Sequence, residues 1–421
     1  MLIKMLNGVL ATATLALLGA CSTPCGAPGG LCAPIKPNTS GERAADVAAG
    51  AAAALAPAPA MAALPAASVQ TMAVDTPNAA APAAPLQPGR ITRIGLLLPV
   101  RSESLGAPSE ALRAGVMAAF ERDREGFEVN LIDTGDSADE TLNAYMAALK
   151  NNDVIIGPLS RPAVAAVADS GTVSKPTVAL NYPEGRSAVP PLMLVAGLSI
   201  EDEARQVARW AAGEHPGGAA LIVSGQSAWQ RRLAAAFAAQ WSRLGNRSQL
   251  AELSASKGYL HESGLNQLKT RVDAEPPALL FAALDPDQLR QVRGTLGQDL
   301  PAYGTSSVNP GLDAGMAVAE LDGARILDLP WQVQSDHSAV MVYPRWTGER
   351  RTPDLERLYA LGIDAFRVAR EISLRPPGSF KMDGVTGKLS VSFGKGPARF
   401  ERIETGTVYQ GGVFKLIEPG R

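Results

Sequence analysis

The chain has 421 residues, with 39 lysines and arginines against 41 aspartates and glutamates, so its formal net charge is −2. Acidic and basic residues are interspersed and no basic stripe is present, which argues against nucleic acid as a partner. Of the three cysteines and three histidines, none has a metal-ligating spacing, so we predict neither a metal nor another cofactor.

Residues 1–20 have the features of a secretory signal. Lys4 supplies a positive charge before an apolar run at 9–18 that is too short to remain as a membrane span. The run ends in "LGAC", which resembles a bacterial lipobox and implies that Cys21 carries acyl chains such as palmitate. Ser22 follows, which favours an outer-membrane anchor facing the periplasm. The alternative is an ordinary secretory peptide with a chance cysteine.

Residues 22–90 contain no Phe, Tyr or Trp and consist largely of alanine and proline. Recurrent prolines interrupt any helix, and the segment has too little to bury to offset its ordering entropy. We predict a disordered tether that averages about 45 Å end to end as a coil and at most about 210 Å as polyproline. Cys25 and Cys32 could close a small loop in an oxidising periplasm or remain incidental thiols; the sequence leaves both open.

The remainder, 91–421, exceeds one comfortable hydrophobic core. Near-continuous apolar runs predict buried parallel strands, and they lie at 94–100, 153–159, 176–181, 219–225 and 277–284. Helical periodicity with capping residues Ser137, Ser199 and Thr352 predicts the intervening helices, and these lie at 137–150, 200–213, 227–244 and 353–373. In the first of these helices, Leu142, Tyr145, Met146 and Leu149 form the predicted buried face.

The alternation of strand and helix runs twice along the chain, over about 91–195 and about 197–310. This pattern predicts an α/β fold with two doubly wound parallel-sheet lobes. The alternating, glycine-punctuated segments 384–393 and 406–419 predict antiparallel strands that close a lobe.

Several segments carry a family resemblance. "RIGLLLPV…ALRAGVMAAF", "DVIIGPLSRPAV" and "KPTVALN" resemble the type I periplasmic binding fold of branched-chain amino-acid receptors. "LDLPWQV" (327–333), "RLYALGIDAFRVAREI" (357–372) and "MDGVTGKLSV" (382–391) are similar to the penicillin-binding-protein activator lipoproteins of the LpoA (LppC) group. The similarity covers about 91–418. Enteric members of that group carry a helical-repeat domain at the position that the Ala/Pro tether occupies here.

The resemblance implies two lobes joined by three crossovers, with hinge closure over a cleft. We expect lobe 1 at 91–195 and 325–380, and lobe 2 at 197–323 and 381–418.

The resemblance also implies a ligand site in that cleft, where a hydroxyl and the amides at a helix start receive a carboxylate. The candidate residues are Ser160, Asn181 and Tyr182 from lobe 1 and Tyr303, Ser306 and Ser307 from lobe 2. Arg161 and Pro162 depart from the small residues that amino-acid receptors usually place there. The alternative is that Ser160 only caps a helix, and we favour it.

No catalytic constellation is present, so we predict a protein that is not an enzyme. Ser254-x-x-Lys257 has the spacing of penicillin-recognising serine enzymes, but it follows a predicted strand and precedes Gly258, so we interpret it as loop. Tyr343, Arg345 and Trp346 concentrate binding-prone side chains in a predicted loop and are candidates for a partner interface. The alternative is that Trp346 packs beneath that loop.

Two functions follow from the resemblance. The first is an outer-membrane lipoprotein that binds a class A penicillin-binding protein, a peptidoglycan synthase, and stimulates it without catalysing a reaction. The second is a periplasmic solute-binding lipoprotein that delivers an amino acid or similar ligand to an ABC transporter.

Overall fold

The computed structural model of the protein describes residues 91–185, 188–311, 318–348 and 351–417. The predicted signal peptide, Cys21, Cys25, Cys32 and the tether lie outside the described residues. None of the described helices has both the length and the apolar character that a membrane crossing requires.

The first sheet contains five strands, all parallel, with helices on its two faces. In chain order its elements are β1 (Thr92–Leu98), α1 (Gly106–Arg122), β2 (Phe127–Asp133), α2 (Ala138–Asn151), β3 (Val154–Ile156), α3 (Arg161–Asp169), β4 (Thr177–Ala179) and β5 (Met193–Val195). The strand order is β2-β1-β3-β4-β5. Ile94 and Leu97 on β1 are fully buried in separate cores on opposite faces, which explains why such strands are apolar without alternation.

The second sheet is built in the same way from the middle of the chain. Its elements are α4 (Ile200–Glu214), β6 (Ala220–Ser224), α5 (Ala228–Arg243), β7 (Ser248–Glu252), the hairpin β8 (Ala255–Ser256) and β9 (Tyr259–Leu260), α6 (Glu262–Ala274), β10 (Leu279–Ala283), α7 (Pro286–Leu296), β11 (Ala302–Gly304), two 3₁₀ turns (Ser306–Val308 and Ala319–Leu321) and β12 (Arg325–Asp328). Phe281 on β10 pairs with Ile222 on β6 and Tyr303 on β11 in parallel registers.

The last part of the chain contributes to both sheets and adds a third. Its elements are α8 (Pro330–Val333), α9 (Ser338–Met341), α10 (Pro353–Leu374), β13 (Gly378–Asp383), β14 (Lys388–Phe393), β15 (Arg399–Ile403), β16 (Thr405–Gln410) and β17 (Val413–Leu416). Strands β13, β14 and β15 form an antiparallel sheet, while β16 and β17 extend the second sheet in the order β17-β16-β12-β11-β10-β6-β7.

Helix α10 crosses α1 at very short range. A Cβ atom at Gly115 would overlap the carbonyl oxygen of Tyr359, and one at Gly362 would overlap that of Leu112. Two glycines therefore let the helix backbones touch, and this packing fixes α10 on the first sheet.

The structure confirms the predicted α/β class and most local signals. Ser137 and Glu140 form the capping box of α2, Ser199 caps α4 and Thr352 caps α10. Lys257 lies in the β8–β9 hairpin turn at φ 52°, as the loop interpretation requires. One predicted helix face is wrong in part, because Met146 is 38% exposed.

The lobe boundaries differ from the prediction in two places. Residues 325–328, predicted in lobe 1, form β12 and pair with β11 and β16 of the second sheet. Residues 381–403, predicted in lobe 2, belong with β13–β15, whose buried Phe380, Leu389 and Val391 lie in the core of the first sheet. The apolar pattern finds strands, but the sheet that each strand joins is decided by pairing distant in sequence.

We therefore define the first lobe as the described residues of 91–195 and 330–403, and the second lobe as those of 200–328 and 405–417. The chain passes between them at 196–199, at Leu329 and at Glu404.

Candidate functional site at the lobe junction

The three crossovers meet at a junction that two arginines hold together. Arg402, near the end of β15, donates to the carbonyl oxygens of Ala196 and Gly197, each at 2.9 Å, and to Thr386 Oγ1 at 3.0 Å. These hydrogen bonds attach the first crossover, 196–199, to β15, the strand that leads into the third crossover at Glu404. Charge-assisted hydrogen bonds to carbonyl oxygens are among the stronger polar contacts in a protein.

Arg357 on α10 forms the second attachment. Its guanidinium binds Asp328 with Nη2–Oδ2 at 2.6 Å and Nε–Oδ1 at 3.1 Å, and Nη2 also donates to the Ser306 carbonyl at 2.9 Å. The two side chains are 8% and 0% exposed. Asp328 accepts further hydrogen bonds from Asn309 Nδ2 and from the Leu329 amide, both at 2.7 Å. A buried, bidentate pair therefore connects the first lobe to the second.

Two buried glutamates complete the junction. Glu203 on α4 accepts hydrogen bonds from the Ser306 hydroxyl at 2.6 Å and from its amide at 3.0 Å. Burial is the main cause that raises the pKa of Glu203 to about 7, and the charge of Asp328 adds to it. Burial, and then the charge of Glu203, also raises the pKa of Glu404 well above its usual range. Strongly shifted carboxyl groups of this kind mark candidate functional sites.

Three hollows adjoin this junction. The sheet groove, of about 860 Å³, lies between the β5 side of the first sheet and β13–β15. The polar hollow, of about 150 Å³, lies at the start of α4. The apolar hollow, of about 440 Å³, lies beside Trp210 and Leu327. Gln206, Arg209, Glu401 and Glu404 line both the polar and the apolar hollow. The volume of the larger two lies in the range of small-molecule sites.

The first-lobe candidates for a cleft ligand take mainly local roles. Ser160 Oγ accepts from the Ala163 amide at 3.3 Å and caps α3, as the favoured alternative predicted. Asn181 Oδ1 accepts from the amide of Tyr182 at 2.9 Å. The Tyr182 hydroxyl donates to Asp202 Oδ2 at 2.8 Å, which links the two lobes, and Tyr182 lines the sheet groove and the polar hollow.

The second-lobe candidates point inward. Tyr303 is fully buried, and its hydroxyl contacts Glu214 and, at 3.0 Å, His215 Nε2. Ser306 is bound to Glu203, and Ser307 donates to the Leu284 carbonyl at 2.9 Å. The Ser306 hydroxyl is buried, so its contact with a carboxylate orders the junction and presents no nucleophile to a substrate. The structure thus gathers Tyr182 and Ser306 around the junction and directs Tyr303 elsewhere.

The expected aromatic interface is wrong for two of its three side chains. Tyr343 and Trp346 are each 8% exposed and belong to the core of the first lobe. Arg345 Nη1 donates to the Trp331 carbonyl at 2.7 Å, and its guanidinium lies 4.5 Å from the centre of the Trp331 ring. Aromatic side chains stabilise a fold most when they are buried. Here they anchor the loop to the core, as in the alternative given for Trp346 in the sequence analysis.

Sequence reasoning missed the residues of the junction itself. Glu203 belongs to the acidic first turn of α4, where charge usually faces solvent, but it shares the buried face of that helix with Ala204 and Val207. Arg357 interrupts the apolar stripe of α10, and Asp328 stands between apolar residues in "ILDLPW". A charged residue at a position that helical or strand periodicity assigns to the core is the signal that would have identified them. Within the described part of the chain, no cluster of three or more potential ligands is arranged to hold a metal.

Comparisons with known proteins agree with this architecture. Residues 66–396 match the model of the LppC lipoprotein family. The penicillin-binding protein activator LpoA of Photobacterium profundum is 27% identical over 345 residues, which cover 73% of this chain and 54% of that protein. LpoA of Glaesserella parasuis is 28% identical over 344 residues, which cover 77% and 55%. The chain spans about half the length of these curated relatives.

Two solved structures are similar over nearly the whole folded region. A protein of Chromobacterium violaceum assigned to the branched-chain amino acid ABC transporters is 34% identical, with a TM-score of 0.62, covering 75% of this chain and 99% of that one. The C-domain of LpoA from Haemophilus influenzae, described as a regulator of PBP1A, is 21% identical, with a TM-score of 0.61, covering 78% and 100%. The second likeness is one of fold.

Proposed function

We propose that this chain, which belongs to the LppC lipoprotein family, is a non-catalytic regulator whose lobes bind a class A penicillin-binding protein and increase its peptide cross-linking activity. The observation that carries the proposal is the family match over residues 66–396, which includes most of both lobes. Relatives that align with this chain are named penicillin-binding protein activators.

The lobe junction supports a docking role. Arg357 joins α10 to β12 through a buried ion pair, Arg402 joins β15 to the first crossover, and Tyr182 joins the first lobe to α4. These contacts stabilise the arrangement of the lobes that the structure shows. A surface that is ordered before binding loses less conformational entropy when it meets a partner. A regulator of this kind would act through higher affinity for the active conformation of the synthase.

We further infer that Cys21 is lipidated and anchors the chain in the outer membrane, facing the periplasm. The "LGAC" motif and the following Ser22 support this inference. A tether raises the effective concentration of the lobes near a partner held in the opposite membrane, provided that it can span the distance. Membrane fractionation of a Cys21→Ser variant tests it, because the variant should lose its membrane association while remaining folded.

The experiment for the main proposal measures cross-linking by a purified class A synthase in the presence of the full chain in detergent. We expect a saturable rise in the cross-linking rate at near-stoichiometric amounts of the chain. The Cys21→Ser variant is a matched control, because loss of the anchor should not alter stimulation in detergent. A chain that leaves the rate unchanged at saturating binding, or that turns over peptidoglycan without synthase, would contradict the proposal.

A second candidate is a solute-binding lipoprotein, and the 34% identity to the Chromobacterium violaceum protein favours it. In that case Ser160, Asn181 and Tyr182 would contribute to an amino-acid site between the lobes. Thermal unfolding with a panel of amino acids separates the two candidates, because a ligand at a hundred times its Kd stabilises a receptor by about 2.7 kcal/mol. Stabilisation that a Ser160→Ala variant abolishes would support the receptor.

A further inference from the structure

The carboxylate of Glu404 is the one feature of the junction that the described structure leaves incomplete. Glu404 is 8% exposed, and its Oε2 atom is buried without a hydrogen-bond partner among the described residues. The backbone amide of Glu404 donates to Gln206 Oε1 at 3.1 Å, so it is the side chain that lacks a hydrogen-bond partner. A buried polar atom without a partner costs free energy, so a donor that reached this atom would stabilise the junction.

The positive charges of Arg402 and Arg357 offset the effect of burial on the Glu404 carboxyl only in part. Arg402, the nearest arginine in sequence, gives its donors to Ala196, Gly197 and Thr386. Arg357 is bound to Asp328. With the carboxyls ionised, the interior of the junction would hold three negative side chains, Glu203, Asp328 and Glu404, against Arg357 and the half-buried Arg402, while Arg209 stands exposed at the wall of both hollows. A further positive charge would balance the cluster.

Space for such a group is present on both sides of Glu404. The polar hollow brings Tyr182 and Gln206 to it, and the apolar hollow continues beyond it over Trp210 and Leu327. Ile403 and Ile417 form the rest of the apolar wall. A ring such as that of Trp210 also attracts cations. The two hollows share part of their lining, and their walls change from charged in the polar hollow to apolar in the apolar hollow.

We propose that the two hollows form a binding site for a small organic amine, whose ammonium group is bound by Glu404 and whose apolar body lies against Trp210, Leu327 and Ile417. The site is independent of the proposed regulatory function. It lies apart from Ser160 and Asn181, but it shares Tyr182 with the ligand site expected between the lobes. Arg209 and Glu401 are exposed charged residues at the shared wall, and they would select among substituents on the amine.

Binding of the amine should release a proton, and this release can be measured in addition to affinity. Burial keeps the pKa of Glu404 high in the free protein, so an incoming ammonium would displace a proton as it pairs with the carboxylate. The charged groups that face Glu404 or share its hollows are Asp202, Glu203, Arg205 and Arg209 on α4, Asp328 on β12, Arg357 on α10, and Glu401 and Arg402 on β15.

The test is isothermal titration calorimetry of the full chain with phenethylammonium chloride, using phenethyl alcohol and 3-phenylpropanoate as probes of matched shape. We expect saturable binding of the ammonium only, with a binding enthalpy that changes with the ionisation enthalpy of the buffer. In Glu404→Gln, affinity should fall by about tenfold or more and the buffer dependence should disappear.

Two further variants keep the test decisive if Glu404→Gln folds poorly. Ile417→Ala trims the apolar wall without changing a charge and should weaken the ammonium while retaining proton release. Glu252→Gln alters an exposed carboxylate paired with Arg231 and should leave binding unchanged. Equal affinity for phenethyl alcohol, no loss in either hollow variant, or no saturable binding at millimolar ammonium would each overturn the site.

Discussion

Replacing Arg357 by methionine removes one half of the buried ion pair that joins the lobes while keeping a side chain of similar length. Asp328 would then remain fully buried with only Asn309 and the Leu329 amide as donors. Breaking a buried pair by removing one partner typically costs about 3–5 kcal/mol, because the remaining charge is left uncompensated. We expect a loss of that size in the free energy of unfolding.

The assay is urea unfolding followed by tryptophan fluorescence, and a second variant separates charge from packing. In Asp328→Asn with Arg357→Met, both charges are absent, so the loss should be clearly smaller than in Arg357→Met alone.

Arg231→Met is the matched control. Arg231 also forms two hydrogen bonds to a carboxylate, at 2.9 and 2.8 Å to Glu252, but on the exposed surface. Exposed pairs contribute little to stability, so this variant should unfold almost like the parent. If Arg357→Met is no more destabilising than Arg231→Met, or if the double variant is the least stable, the junction is not held by this pair.

Three further predictions concern stability. The pKa of Glu203 is about 7 in the folded state against 4.5 ordinarily. The folded protein therefore keeps this proton to a higher pH than the unfolded chain does, and the free energy of unfolding should fall by roughly 3 kcal/mol as the pH rises from about 4.5 to about 7. Denaturant titrations at several pH values should show this slope reduced in Glu203→Gln and retained in Glu121→Gln, an exposed control. Gly115→Ala would drive a methyl group into the α10 backbone and should cost about 3 kcal/mol, whereas Gly213→Ala, with open space around it, should leave the melting temperature nearly unchanged. Trp346→Ala should cost about 3–5 kcal/mol because the ring is core, and a variant that melts like the parent would mean that the ring is dispensable for packing.

The parts of this fold that are local in sequence could be predicted. Ser137 and Glu140 are three residues apart, and their capping box depends on nothing else. The continuous apolar runs follow from burial on both faces of a parallel sheet, so β1, β6 and β10 could be located without knowledge of their neighbours.

The junction could not be predicted in the same way, because its contacts join residues that are far apart in the chain. Glu203 and Ser306 are separated by 103 positions, and Arg402 and Gly197 by 205. Core periodicity can mark a charged residue such as Glu203 as buried, but only the assembled lobes show which partner it meets. The same reason explains the misplaced β12, since "RILD" suits either sheet until its partners β11 and β16 are known.

The junction also separates the two candidate functions physically. A receptor that closes over its ligand needs crossovers whose backbone can change conformation at small cost. Here the first crossover is bound by Arg402, the second lies beside the Asp328–Arg357 pair, and the third carries Glu404 in the same buried cluster. Closure would have to strain or break these contacts, whereas docking on a partner requires no such change. The arrangement of charges therefore favours a protein that presents an ordered surface to its partner.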